Sequence, residues 1–408
     1  MQKNASTEEI AEYCIQNPDL SRDEICRDLS CSSNRVMQVL KLVRSGITDK
    51  ELIIENVRLS KGIQKQQDLN RIKNKTVREH FRVDNALVEI SNEIKSILEK
   101  HDFSKITKKH DVKGDKSCGI IHVSDWHFNE LVSIDGNKYD FEVASKRMKQ
   151  FASKAKLYLK SHGIKNVLIA NTGDNINSDR RLDEFLNQAT NRMNAMMLSV
   201  YLLEQFIVDL NQEFNVKYAH VVGNESRVKD EPAWSDIVAS DNYDNTIFNI
   251  LRYSMRSSKG VEFVLGSPQE LVVNVAGQNV LLIHGQQIRG KVGTTITQIV
   301  GKYSSIGVLI DFVLFGDIHE ARIADNYARG SSAVGNNAYS WSGLQLAGRA
   351  SQNVHIFYEN KNRDSIKIDL QNIEKGVSGY DIFKDLEAYN AKSANRLHKG
   401  VVIHQVVV

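Results

Sequence analysis

The sequence predicts an α/β layered domain preceded by a small all-α unit and a helical connector. From Cys118 onward, short apolar, β-rich runs alternate with helical stretches, as they do in a layered α/β domain. Before residue 45, apolar residues recur at helical spacing in three short segments. Residues 49–105, between the two, hold no proline and one glycine and are rich in charged and amide side chains. The boundaries read as 1–48 for the helical unit, 49–116 for the connector, 117–370 for the main domain and 371–408 for a C-terminal extension of unread role.

A chain of 408 residues suits two or three units at roughly 150 residues each. Hydrophobic content of 41% and charged content of 25% are ordinary for a globular chain. The formal charge of +3 excludes a general basic coat, so any nucleic-acid surface has to be local. Cys14, Cys26, Cys31 and Cys118 form no CxxC pair, which points to reduced thiols rather than a disulfide framework. The first ten residues carry no signal-peptide core, and apolar runs such as Val280 to Ile283 are too short to span a bilayer. A cytoplasmic protein with no membrane partner is the expectation.

In the helical unit, Thr7 opens the first helix, with Ile10, Tyr13 and Cys14 at helical spacing. Ser21 with Glu24 three residues on reads as a capping box for the second. Ser33 starts a third, with Val36, Val39, Leu40 and Val43 on one face. Helix, tight turn and helix of this size resemble a helix-turn-helix, with Arg35, Lys41 and Arg44 available for DNA phosphates. A plain three-helix docking module is the alternative. The connector reads as a long helix broken near Gly62, and its basic stretch from Lys61 to Arg82 suits either a nucleic-acid backbone or a solvated face. A protein partner or a second copy of the chain is a further candidate along it. The segment from Ser104 to Lys116, with five lysines, reads as the hinge into the main domain.

In the main domain one coincidence repeats five times. Strand-like residues 119–124 run into Asp125-Trp126-His127, and 166–172 into Gly173-Asp174-Asn175. Residues 218–222 run into Gly223-Asn224-Glu225, and 279–283 into His284-Gly285. Residues 311–315 run into Gly316-Asp317-Ile318-His319. Sites in α/β folds are built at the C-terminal ends of strands. Carboxylate, amide oxygen and imidazole are donors for hard or borderline divalent cations. Singly, the aspartates read as turn caps and the histidines as satisfied interior side chains; five in series read as a metal site.

The series resembles the calcineurin-like metallophosphoesterase superfamily, whose blocks run D-x-H, G-D, G-N-H, H and G-H-x-H. Asp125 and His127 match the first block, Asp174 the second, Asn224 the third, His284 the fourth and His319 the end of the fifth, over roughly residues 118–370. The resemblance implies a β-sandwich flanked by helices and two divalent ions. Asp125, His127 and His319 would hold the first ion, Asn224, His284 and Asp317 the second, and Asp174 would bridge both. Such ions sit roughly 3.5–4 Å apart and activate water for in-line attack on a phosphoryl group.

Two positions depart from the pattern. Glu225 stands where the family has its leaving-group acid, and Asp317 where it has a ligand histidine. The second change makes the second site rich in oxygen, favouring manganese, with magnesium, iron(II) or zinc as alternatives. The first is more serious, because a carboxyl beside two cations is a poor proton donor at neutral pH. A missing acid lowers the rate by ~10²–10⁴ where the leaving group needs a proton. Glu225 is thus an unusual acid or base, an extra ligand, or the mark of reduced activity. Arg227 is its candidate catalytic companion, and with Arg180 and Arg181 a candidate for phosphate oxygens. The stretches Gly330 to Ser332 and Gly335 to Asn337 are candidates for the substrate mouth, and His122 reads as structural.

Protein phosphatases of the superfamily are disfavoured, because their G-D-x-V-D-R-G block is absent. The blocks look closer to the DNA-repair exonuclease branch and to phosphoesterases of tailed bacteriophages. There the third block reads G-N-H-x-R, aligning Arg227, and the stretch from Asn137 to Asp140 leading into a helix with Arg147 is also similar. The expected function is a two-metal-dependent DNA phosphodiesterase guided by its N-terminal unit, in a bacterial or phage-infected cell. A small-nucleotide phosphatase or phosphodiesterase is one alternative; a non-catalytic DNA-binding or assembly protein is the other. Val401 to Val408 reads as a strand that must pair somewhere.

Overall fold

The structure is a computed structural model, which describes residues 5–31, 33–68, 70–71, 117–231, 235–288, 290–337, 339–343 and 348–382. The chain divides into two compact units, residues 1–100 and 101–408.

The first unit is helical where described: α1 (Thr7–Gln16), α2 (Arg22–Leu29), α3 (Ser33–Arg44) and α4, through residues 50–68. Ser6 with Glu9 and Ser21 with Glu24 form reciprocal capping boxes, satisfying amides that the first helical turns leave open. Ile10, Cys14, Ile25, Val36, Val39, Ile53 and Val57 make one buried cluster. The expected break near Gly62 is absent, and α4 runs through it. One glycine costs a helix only about 1 kcal/mol, and its neighbours are good helix formers. Residues 72–116, which include the second half of the basic stretch and the hinge, lie outside the described residues.

The second unit opens with β1 (Ser117–Val123), a small hairpin of β2 (Val132–Ile134) and β3 (Asn137–Tyr139), then α5 (Phe141–Ser161) and β4 (Asn166–Asn171). Next come α6 (Leu182–Leu186), α7 (Arg192–Asn211), β5 (Asn215–His220), α8 (Asp236–Ala239), α9 (Tyr243–Ser254) and β6 (Val261–Phe263). The second half holds β7 (Glu270–Val275), β8 (Gln278–Ile283), α10 (Val292–Ser304) and β9 (Phe312–Phe315). It continues with β10 (Arg322–Ile323), β11 (Tyr327–Arg329), β12 (Ser351–Tyr358) and β13 (Arg363–Asp369).

The strands form two sheets, ordered β13-β12-β1-β4-β5-β6 and β10-β11-β9-β8-β7. β1, β4, β5 and β6 run parallel, as do β8, β9 and β11. The sheets face each other through one apolar cluster, with Ile120, Leu168 and Ala219 from the first and Leu282, Phe312 and Leu314 from the second. On the second sheet, α10 packs Ile296 and Tyr303 against Leu281 and Val313. On the first, α5 and α7 pack against strands and each other, and α9 against α7. This mixed α/β sandwich has the layers the resemblance implied.

By length and composition α7 is apolar enough to cross a bilayer, although its apolar residues form no long uninterrupted run; here it packs on β5 beside α5 and α9. Past β13 the chain returns to the helices, where Gln150 Nε2 donates to the Asn372 carbonyl and Tyr380 OH to Asp209. Residues 383–408, with the expected strand from Val401, lie outside the described residues.

Candidate metal centre

The five ligand-bearing turns follow β1, β4, β5, β8 and β9 and converge at one edge of the sandwich. Their backbone is strained. Asp125, His127, Asp174, Asp317 and His319 have φ of 50°, 41°, 57°, 68° and 59°. The left-handed region costs an L-residue about 1–2 kcal/mol and persists where surrounding bonds over-determine it. Here each turn hangs on another. Asp125 N donates to the Gly173 carbonyl and His127 N to the Asp174 carbonyl, both at 3.0 Å. Gly316 N donates to the His284 carbonyl at 2.6 Å, and Asp317 N to Asp125 Oδ2 at 3.1 Å. The packing leaves no room for side chains at Gly223, where a Cβ would overlap the Asp174 carboxylate, or at Gly316, where it would meet Ser124 and Asp125.

The donors fall into two groups. In the first, His127 Nε2 and His319 Nε2 face each other at 3.1 Å, with Asp125 Oδ1 at 4.0 and 3.4 Å from them. In the second, His284 Nε2 lies 3.0 Å from Asp174 Oδ2, 2.9 Å from Asn224 Oδ1 and 3.5 Å from Asp317 Oδ1. Donors held ~2.1 Å from a common cation lie about 3–3.5 Å apart, so both groups fit a divalent ion. Asp125 shares a potential metal cluster with His127 and His319 and another with Asp174 and His284. That differs from the resemblance, which puts Asp174 between the ions. Asp174 Oδ1 instead accepts from the amides of Glu225 and Ser226 at 2.8 and 3.3 Å.

Protonation supports the same use. Burial and the neighbouring His319 push His127 down to about 3, leaving a neutral ring whose Nε2 can offer a lone pair. Burial would lower His319 too, but the hydrogen bond and charge of Asp125 raise it to about 9. Burial would raise Asp125, but His319, His284 and His127 together hold it well below the carboxylate range. His284, buried like the others, is lifted well above its usual value by Asp174. A cation bound in either group would compete with a proton for the same donors. His284 Nδ1 lies 2.7 Å from the Thr172 carbonyl, so the ring donates there and turns Nε2 to the site.

All seven candidate ligands, Asp125, His127, Asp174, Asn224, His284, Asp317 and His319, are brought together. The two candidates for chemistry fare differently. Both carboxylate oxygens of Glu225 are engaged, Oε2 by Arg180 and Oε1 by the Asn224 amide. Arg227 is tied into its own turn, donating to the carbonyls of Asn224 and Asp230. Arg180 is spent on Glu225 and nearby carbonyls, and Arg181 pairs with Glu184 on the surface. None of the three guanidinium groups points as a free anion clamp. Gly330 to Ser332 is buried behind the site rather than at its mouth, with Ser332 Oγ donating to the Asp125 carbonyl and Ser331 Oγ to that of His319. The half-buried Asn337 donates to Glu130. His122 sits buried against Thr172, and burial pushes it down to about 4.

Three supports went unread in the sequence. Asp244, in the first turn of α9, accepts from the amides of Asp174, Asn175 and Gly223 and from the Asn175 side chain, pinning two ligand turns. Arg192, buried over the Tyr243 ring, donates to the carbonyls of Glu225 and Arg227. Gln352 braces both faces of the Ser124 backbone. Only the Asn-x-Asp pattern of residues 242–244, a helix cap, hinted at the first.

No family model and no curated protein matches the chain. Solved structures do match. One is a Vps29 from Entamoeba histolytica complexed with zinc, at 10% identity and TM-score 0.29, over 62% of this chain and 99% of that one. Another is the calcineurin-like phosphoesterase YfkN from Bacillus subtilis, at 9% identity and TM-score 0.30, over 69% and 97%. A 5'-nucleotidase from Candida albicans matches at 8% identity and TM-score 0.32, over 71% of this chain and 58% of that one. At these scores the likenesses carry no weight for what the chain does.

Proposed function

We propose that this chain is a two-metal-dependent phosphodiester hydrolase acting on DNA. The observation that carries the reading is the convergence of four acidic or amide oxygen donors and three imidazoles into two groups at the ends of five strands. Asp125, His127 and His319 would hold one divalent ion; Asp174, Asn224, His284 and Asp317 would hold the other, with Asp125 within reach of both. A bound pair supplies charge neutralisation at phosphoryl oxygens and activation of water. The chain's own part is to pre-organise the donors: strained turns fix their direction, and the Thr172 carbonyl sets which His284 nitrogen faces inward. Asp317, His319 and Asn224 are the partly exposed donors, so substrate enters from their side. Manganese suits a second group with one nitrogen among its donors.

DNA is proposed from the blocks shared with the exonuclease branch and from the basic stretch at Lys61 to Arg82. The helical unit adds less than its composition suggests. Arg35 donates to the Ala5 carbonyl, and the exposed Arg44 to those of Pro18 and Leu20, while Lys41 is exposed as well. One observation favours a small nucleotide as the second reading. Glu225 is ion-paired rather than free to serve an alkoxide leaving group, whereas a leaving phosphate needs no acid.

Manganese-dependent turnover of single- and double-stranded DNA, set beside a nucleoside triphosphate and bis-p-nitrophenyl phosphate, decides between them. DNA cleavage at a rate comparable to the activated diester supports the first reading, and turnover of the triphosphate alone supports the second. No turnover of any of them contradicts both.

A further inference from the structure

Glu225 occupies the position where the resemblance implies a proton donor, and its surroundings assign it different work. Its side chain is 13% exposed and bridges two partners. Oε2 pairs with Arg180 Nη2 at 3.0 Å, and Oε1 accepts from Asn224 Nδ2 at 2.5 Å. Asn224 in turn directs Oδ1 at the second donor group, 2.9 Å from His284 Nε2. An amide side chain has a donor end and an acceptor end, and only the oxygen can hold a cation. Something must therefore choose which end faces the metal. Among the described residues the acceptor that holds Nδ2 is Glu225.

We propose that Glu225 is a positioning residue that fixes the Asn224 amide with its oxygen toward the second metal, and that Arg180 locks Glu225 in that pose. Three features make the arrangement one unit. Arg180 donates to the Asn224 carbonyl at 3.1 Å as well as to the Glu225 carboxylate, so a single guanidinium fixes both residues of the relay. The amide of Glu225 donates to Asp174 Oδ1 at 2.8 Å, tying the same residue to a second ligand of the same ion. The carbonyl of Glu225 is held by the buried Arg192 at 2.9 Å, so the turn has little freedom to re-aim. Both carboxylate oxygens are taken up by these two partners, so neither faces the donor groups freely. The replacement of the family's histidine thus exchanges a proton donor for an orienting acceptor.

The inference rests on the two-metal reading, and calorimetric titration of the full-length chain with Mn²⁺ separates the two. Wild type should bind two ions. Glu225→Ala should leave the first step intact and weaken the second by ~10–100-fold, the usual loss when an outer partner of a ligand is removed. A carboxylate presents oxygen at either end, so an aspartate at position 224 needs no orienting. Adding Glu225→Ala to Asn224→Asp should therefore weaken the second step no further. A merely structural salt bridge would give the same loss in both backgrounds, and that result overturns the proposal. So does wild-type binding by Glu225→Ala, or loss of both steps in the single and double variants alike. Absence of Mn²⁺ binding by wild type overturns the metal centre itself.

Discussion

The ligand edge of the sandwich and the helical unit of residues 5–71 both present charged side chains, and they use them in opposite ways. At the edge, seven donors from five turns converge and are aimed at one another. In the helical unit the arginines diverge, and Arg35 and Arg44 are satisfied on carbonyls of their own unit. Convergence of unsatisfied groups marks a ligand site; a charge tied off on its own backbone marks a fold support. Residue type alone does not separate the two.

Breaking the convergence should have the largest effect. Asp125→Asn should lower the affinity for both ions by more than the ~10–100-fold expected of an outer partner, because Asp125 belongs to both groups. Asp174→Asn should spare the first step of a Mn²⁺ titration. If Asp174→Asn abolishes both steps while Asp125→Asn abolishes one, the sharing runs the other way.

Next in size is Asp244→Ala. It strands the amides of Asp174, Asn175 and Gly223, each buried, at about 1 kcal/mol or more apiece. Thermal or denaturant unfolding should show a loss of roughly 3 kcal/mol or more, and addition of Mn²⁺ should recover less of it than in wild type.

Glu204 on α7 is the contrasting buried acid, away from the edge, with Oε1 unbonded among the described residues. Burial raises it to about 7. Its folded value lies above the unfolded one, so its favourable contribution is complete below about pH 4.5 and is lost as pH rises through 7. Glu204→Gln should therefore stabilise the chain by on the order of 2 kcal/mol at pH 8 and by little at pH 4. An equal effect at both pH values would show that Glu204 is paired. The smallest change is expected in the helical unit, where Arg44→Ala should cost about 1 kcal/mol in unfolding experiments through its two lost hydrogen bonds. Loss of DNA retention from Arg44→Ala beyond that from Lys41→Ala, with folding unchanged, would restore Arg44 as a phosphate contact.

Much of the edge was legible because its chemistry is written in residue types: aspartate, histidine and asparagine just after apolar runs. The capping box at Ser21 and Glu24 was legible for the same reason, since its partners are three residues apart. What stayed hidden depends on distance along the chain or on backbone shape. Asp244 braces Asp174 from 70 residues away, and nothing local marks it as more than a helix cap. The positive φ of five ligands leaves no trace in residues that are not glycine. Arg227 and Arg180 were misjudged because a basic side chain after a ligand block looks alike whether it faces solvent or its own carbonyls. The likeness of Glu225 to a substituted acid concealed its partners, one of them 45 residues away.

The central claim is that two divalent ions sit at this edge with the donors divided as described. Crystals of the full-length chain grown with Mn²⁺, measured at the manganese edge, test it most directly. The account predicts two anomalous peaks, one among Asp125, His127 and His319, the other among Asp174, Asn224 Oδ1, His284 and Asp317. A single peak, a peak outside these donors, or an Asn224 amide turned with nitrogen toward the metal would contradict it.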